Sequence, residues 1–201
     1  TTVDAGVLVV IAAGNDGPLT TIGDPGRASK VITVGAANDL NELTTYTSIG
    51  PTSPGADEDV KPDLVAPGGS SFRSGILAAD SNTADGDSTS FADVIANDYA
   101  NLQGTSMATP FVAGSLALMI DALQQSGTSW SFGSSAQPLF LKMLLSASAT
   151  ELNQEREQGE DNSPTLGRAA APKDRFEGHG ILNPDAAIEA ELNELDDESA
   201  A

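Results

Sequence analysis

The chain has no cysteine, a single histidine, few aromatic residues (4%) and a shortage of positive charge. Without cysteine there can be no disulfide and no cysteine-based metal site. The one imidazole is that of His179. Nine basic residues, four of them lysine, stand against 29 acidic ones, for a net charge of −20. Such a chain repels nucleic acid and anionic membranes, so neither is expected as a partner. Acidic, lysine-poor surfaces fit a halophilic protein, whose self-repulsion salt screens; stabilisation by calcium is the competing explanation. No apolar run approaches the 18 or more residues of a membrane span, and no signal-peptide pattern is visible. The length suits one domain of ordinary size.

The densest information lies in Gly104 to Gly114, GTSMATPFVAG. Gly104 and Thr105 form a turn, Ser106 stands at a helix start, and Pro110 is assigned to the first helical turn, where its missing N–H costs little. Ala108, Ala113 and Gly114 allow close approach of neighbours, and the run Leu116 to Ile120 buries the helix. A serine here meets free backbone N–H groups and the positive helix end, which favour developing negative charge. That suits a nucleophile whose attack creates an oxyanion. A serine at a helix start is also commonly just an N-cap, and position alone leaves both readings open. A second stretch, GVLVVIAAGNDGP from Gly6 to Pro18, has an apolar run from Val7 to Ile11 that fits a strand buried on both faces of a parallel sheet. Asn15 at its end is by itself an ordinary turn residue.

Together these strings resemble the subtilisin-like serine peptidases. GTSMATP followed by Val-Ala-Gly resembles the nucleophile segment, and AAGN the segment carrying the oxyanion-hole asparagine. TIGDPGRASKVITVGA (21–36), YTSIGP (46–51), VKPDLVAPGG (60–69) and GHGILNPDAAIEA (178–190) resemble further family segments in the family's order. The resemblance implies an α/β fold, a three-layer sandwich with a mainly parallel sheet, and a serine endopeptidase acting on polypeptides without a required cofactor. Ser106 would attack the peptide carbonyl, while Asn15 and the Ser106 N–H would hold the oxyanion. In the family the acid and base precede the serine in the order Asp, His, Ser. Neither stands upstream of Asn15 in the family's pattern: Asp4 lacks its flanking residues, and His179 follows Ser106 by 73 positions within a segment the family uses structurally. The chain is therefore expected to be the C-terminal part of a catalytic domain, inactive alone, with the missing N-terminal part as its partner and an unpaired edge on its sheet. The family resemblance also implies secretion.

For substrate recognition the resemblance assigns Ala12, Ala13 and Gly14 to one wall of the primary pocket and Gly23 to its floor. Small residues imply a roomy pocket for large apolar side chains; Asp24 would favour Lys or Arg, or is simply a turn residue before Pro25, whose family counterpart follows a cis bond. Phe111, where many relatives carry His, is taken as core packing.

Strands are expected at about 6–13, 31–36 and 63–66, and helices at about 105–125, 138–149 and 184–194. Residues 1–194 form the domain, with 70–97 and 151–172 as inserted loops and 195–201 as an acidic disordered tail. Asp80, Asn82, Asp85 and Asp87 resemble a calcium loop, calcium being the one structural ion suggested, but Ala84 breaks the alternation and a solvated acidic loop is the other reading. A fold-retaining, non-catalytic peptide-binding module and an acidic calcium-binding protein are the rival functions.

Overall fold

A computed structural model describes residues 1–17, 21–50, 60–70, 74–79, 99–152 and 175–199. Strands β1 (Val10–Ala12), β2 (Ile32–Ala37) and β3 (Leu64–Pro67) form a parallel sheet in the order β1-β2-β3. The register sets Ala12 opposite Val34 and Val34 opposite Leu64. Period-two alternation therefore turns Ile32, Val34, Ala36, Leu64 and Ala66 to one face. Helices α1 (Thr105–Gln125), α2 (Ala136–Ala147) and α3 (Pro184–Ser199) pack on that face. From α1 come Ala108, Val112, Leu116, Met119 and Leu123, a helical stripe at intervals of three and four. The opposite face is covered by Leu43, Leu152, Phe176 and Ile181, which gather around Ala37 and Val65. The far edge of β3 is taken by the segment after His179: the Val65 N–H donates to Gly180 O and the Leu182 N–H to Val65 O. Gly178 makes this approach possible, with φ +70° and a backbone that would put any Cβ 2.4 Å from the Asp63 carbonyl carbon.

The mixed α/β architecture with a parallel sheet is the expected one, and the structure alters several local expectations. Regular pairing in β1 covers only Val10–Ala12, and the strand is half-buried, with Val7 39% exposed. It pairs with β2 alone, so one flank lacks a neighbour among the described residues. Pro110 is the sixth residue of α1 and not in its first turn, so the bond its N–H would have made to the Ser106 carbonyl is absent. Phe111 is 42% exposed and is not a core residue. It lies with Pro110, Gly114, Ala117 and Leu118 on the side of α1 turned away from the sheet, all of them exposed. Within the expected loop 70–97, Ile76–Ala79 is a strand, β4, paired antiparallel with β5 (Tyr99–Leu102). Helix α3 continues to Ser199, past the expected start of the tail at 195, because no glycine or proline interrupts it after Pro184. By length and composition α1 could cross a membrane; here it contacts all three strands of the sheet.

Two buried charged features stand out. Asp63, 2% exposed, precedes β3 and accepts from the Thr33 N–H and from Lys61 Nζ at 2.6 Å, with Lys142 Nζ of α2 at 3.1 Å. Both ammonium groups also donate to Val31 O, and Lys142 to Ser29 O. The cluster ties β2, β3 and α2 together. Glu191 of α3 is fully buried, and among the described residues neither carboxylate oxygen has a hydrogen-bond partner.

Candidate active site

The carboxyl ends of β1 and β3 converge on the start of α1, where open parallel sheets place their ligands. Thr105, fully buried, is the hub. Its N–H donates to Asn15 Oδ1 at 2.9 Å, its hydroxyl lies 3.0 Å from the same oxygen, and the Gly14 N–H donates to that hydroxyl at 3.3 Å. A backbone N–H can only donate, so the bond fixes which end of the Asn15 amide faces Thr105. The Asn15 NH₂ is thereby turned away from Thr105.

The other N–H groups of the first turn are accounted for. Those of Met107 and Ala108 both donate to Gly104 O. The Ser106 N–H has no acceptor among the described residues. Its nitrogen and the Asn15 amide both lie close to Gly104. A Cβ built on Gly104 would stand 3.3 Å from Asn15 Nδ2 and 3.7 Å from the Ser106 nitrogen. Glycine at this position, with φ +147°, keeps that gap open. Two N–H groups without acceptors among the described residues thus lie close to one Cβ-sized gap beside an exposed serine, an arrangement able to hold a negatively charged oxygen.

Support comes from two further strands of chain. The Gly104 N–H donates to Gly68 O just past β3, and the Tyr46 hydroxyl lies 2.8 and 2.7 Å from the Gly68 and Gly69 oxygens. Burial raises the Tyr46 phenol above its ordinary value, keeping it a donor. The Ser48 N–H donates to Gly14 O, and the Asp16 N–H to Ser48 Oγ. These bonds hold the loop after β1 against the start of α1. From sequence alone Thr105 is only a turn residue, and Tyr46 and Ser48 stand out only as members of the family segment YTSIGP (46–51).

Of the residues singled out from sequence, Asn15, Gly14 and Ser106 meet here. Ala12 and Ala13 lead into the site along β1, Ala13 being buried and donating to Val34 O. Gly23 opens an exposed turn with free space around it, anchored to β2 through Thr33 Oγ1 donating to Gly26 O. The Asp24–Pro25 bond in that turn is cis, and Asp24 is held by both Nε and Nη2 of Arg27, which keep its carboxyl below the usual range. His179 stands at the other end of the sheet: its N–H donates to Asp63 O, before β3, whereas Ser106 lies past the strand's far end. Five residues of extended chain from Asp63 to Gly68 separate those ends by about 16 Å. Asp4, in a 3-10 turn ahead of β1, is paired with Lys30, likewise at the distal end. Asp80, Asn82, Asp85 and Asp87 lie outside the described residues. Among the described residues no cluster of three or more His, Cys, Asp or Glu could hold a metal.

Comparison with known proteins gives a consistent picture. Residues 1–180 match the family described as the subtilase family. The chain is 39% identical over 124 residues to the serine protease AprX of Bacillus subtilis, covering 58% of this chain and 26% of that protein. It is 30% identical over 206 residues to pyrolysin of Pyrococcus furiosus, covering 89% of this chain and 12% of that one. Among solved structures, the patellamide maturation protease PatA is similar in fold, with a TM-score of 0.64 and 24% identity over 94% of this chain and 52% of that one. The chain thus spans about a quarter or less of these curated relatives.

Proposed function

Since the chain belongs to the subtilase family, we propose that it carries the nucleophile and oxyanion site of a serine endopeptidase. Ser106 Oγ attacks the scissile carbonyl carbon, forming the C–O bond as the carbonyl π electrons move onto oxygen. That oxygen enters the gap beside Gly104 and accepts from Asn15 Nδ2 and the Ser106 N–H. Collapse of the intermediate breaks the C–N bond and leaves an acyl group on Ser106; water then releases it. The observation that carries this reading is the Asn15 amide, fixed by Thr105 so that its NH₂ and the one uncommitted N–H of the helix start share a single gap.

The serine proton needs a base, and His179 stands at the wrong end of the sheet. We assign the base and its orienting acid to a further segment of the same protein, docked on the exposed side of α1. Pro110, Gly114, Ala117 and Leu118 line that side, and Ser106 precedes Pro110 by one helical turn. A segment covering this stripe and the open flank of β1 reaches Ser106 directly. For the primary pocket, Ala12, Ala13 and Gly14 as a wall and Gly23 as floor favour large apolar side chains. Asp24 is engaged by Arg27, which argues against a preference for Lys or Arg. The family resemblance carries the assignment to the extracellular space.

A fluorophosphonate probe on the complete protein tests the nucleophile: Ser106 labels, and failure to label overturns the reading in favour of a non-catalytic peptide-binding module. Residues 1–201 alone leave casein uncut; turnover at an ordinary subtilase rate would refute the assignment of the base to another segment.

A further inference from the structure

The ribbon β4–β5 stands apart from the other named elements among the described residues. Among the described residues no third strand pairs with it, and neither strand makes more than sparse contact with any other named element. Leu77, Ala79, Tyr99 and Asn101 share one face, all exposed, with Leu77 at 68% and Tyr99 at 59%. Leu77 is opposite Asn101 and Ala79 opposite Tyr99, so Leu77 and Tyr99 are diagonal neighbours within reach of one ligand side chain. None of the eight residues of the two strands is charged, in a chain with 29 acidic and nine basic residues. Exposed edges are ordinarily blunted by charge or proline; within these strands neither device is present, and among the described residues no further strand pairs with them.

The ribbon is continuous with the site. It leaves β3 at Gly68–Gly69 and returns through Leu102 to Gly104, whose N–H donates to Gly68 O. Both ends are therefore pinned at the start of α1, and Tyr99 is seven positions from Ser106. At about 3.3 Å per residue, an extended peptide reaches from Ser106 to the Leu77–Tyr99 face within roughly four to six residues.

We propose that the β4–β5 ribbon is a second contact surface for the polypeptide substrate, its open edge pairing with extended backbone and Leu77 and Tyr99 gripping apolar side chains remote from the scissile bond. Unpaired backbone groups provide affinity for any extended chain, and the apolar face selects side chains at alternate positions. The surface rests on the peptidase reading for its orientation, but binding is measurable without turnover.

The test uses the complete protein carrying Ser106→Ala and two labelled peptides with the same cleavage sequence, a tetrapeptide and one of roughly twelve residues with Leu and Phe toward one end. Fluorescence anisotropy reads affinity before and after Leu77→Asp with Tyr99→Asp; the milder pair Leu77→Ser with Tyr99→Ser must move the same way. The long peptide loses about fivefold or more in affinity and the tetrapeptide changes little. Equal effects on both peptides, or none on the long one, overturn the proposal. If the long peptide loses affinity as expected while Ser106 in the unsubstituted protein neither labels nor cleaves, the ribbon stands and the peptidase reading falls.

Discussion

Glu191 makes α3 the element whose docking depends most directly on pH. The carboxyl is fully buried on α3, which packs on α1 and α2, and among the described residues neither oxygen has a hydrogen-bond partner. The elements facing it offer no counter-charge. On α1 the only ionisable group is Asp121, an exposed acid bonded to Gln125. On α2 it is Lys142, whose ammonium is spent on Asp63 and two carbonyls. Helix α3 itself carries acids and no base. Desolvation therefore pushes Glu191 from 4.5 up to about 7. The folded state binds the proton more tightly than the unfolded one. The stabilisation is fully present below about pH 4.5, falls progressively above it, and is gone once pH has risen through about 7. The full difference corresponds to roughly 2–3 kcal/mol. Glu191→Gln removes the titration while keeping the shape. Urea midpoints at pH 5 and pH 8 should then converge for the variant relative to the unsubstituted protein, with the variant the more stable at pH 8 by about 2 kcal/mol. Amide exchange in α3, corrected for the intrinsic rate, should accelerate between these pH values only when Glu191 is present. Parallel pH profiles for the two proteins would refute the reasoning.

Asp63→Asn leaves the buried Lys61 and half-buried Lys142 ammonium groups without their shared carboxylate; it should destabilise the fold by about 3–5 kcal/mol, lowering the melting temperature by roughly 10 °C in calorimetry. Asn15→Ala in the complete protein should cut kcat by about 100- to 1000-fold with little change in KM, a magnitude taken from a subtilisin, itself a member of this family; an unchanged kcat would remove Asn15 from the site. Thr105→Val deletes the hydroxyl beside Asn15 Oδ1 and Gly14 N and should lower kcat by about tenfold, through the orientation of Asn15. With a net charge of −20, melting temperature should climb with NaCl beyond the effect of calcium at fixed ionic strength, and a rise with calcium alone would reverse that assignment.

What could be read from sequence divides by the range of the interactions involved. The α1 boundaries are local: GTSMATP sets the start, and a stripe of apolar residues spaced by three and four runs to Leu123 before Gln124, Gln125 and Gly127 end it. The strands of the parallel sheet are nearly as local, since Ile32 to Ala37 and Leu64 to Ala66 are runs free of charge and, apart from Thr33, apolar or glycine. Phe111 was misassigned because periodicity cannot say which side of an all-round apolar helix meets the sheet; only the placement of Val112, Leu116 and Met119 decides that. Pro110 lies less than a turn beyond its expected place, and there it removes the N–H that would have bonded to the Ser106 carbonyl. The positioning role of Thr105 was illegible for a different reason. Its partners are Asn15 and Gly14, ninety or more positions away, and no local pattern distinguishes a threonine in a turn from one that orients an amide across the domain. Once that bond is known, Asn15 is no longer one turn residue among several. Its oxygen is committed to Thr105, so its NH₂ is the part of the amide left for another partner, and the proposed shared oxyanion depends on that bond across ninety positions.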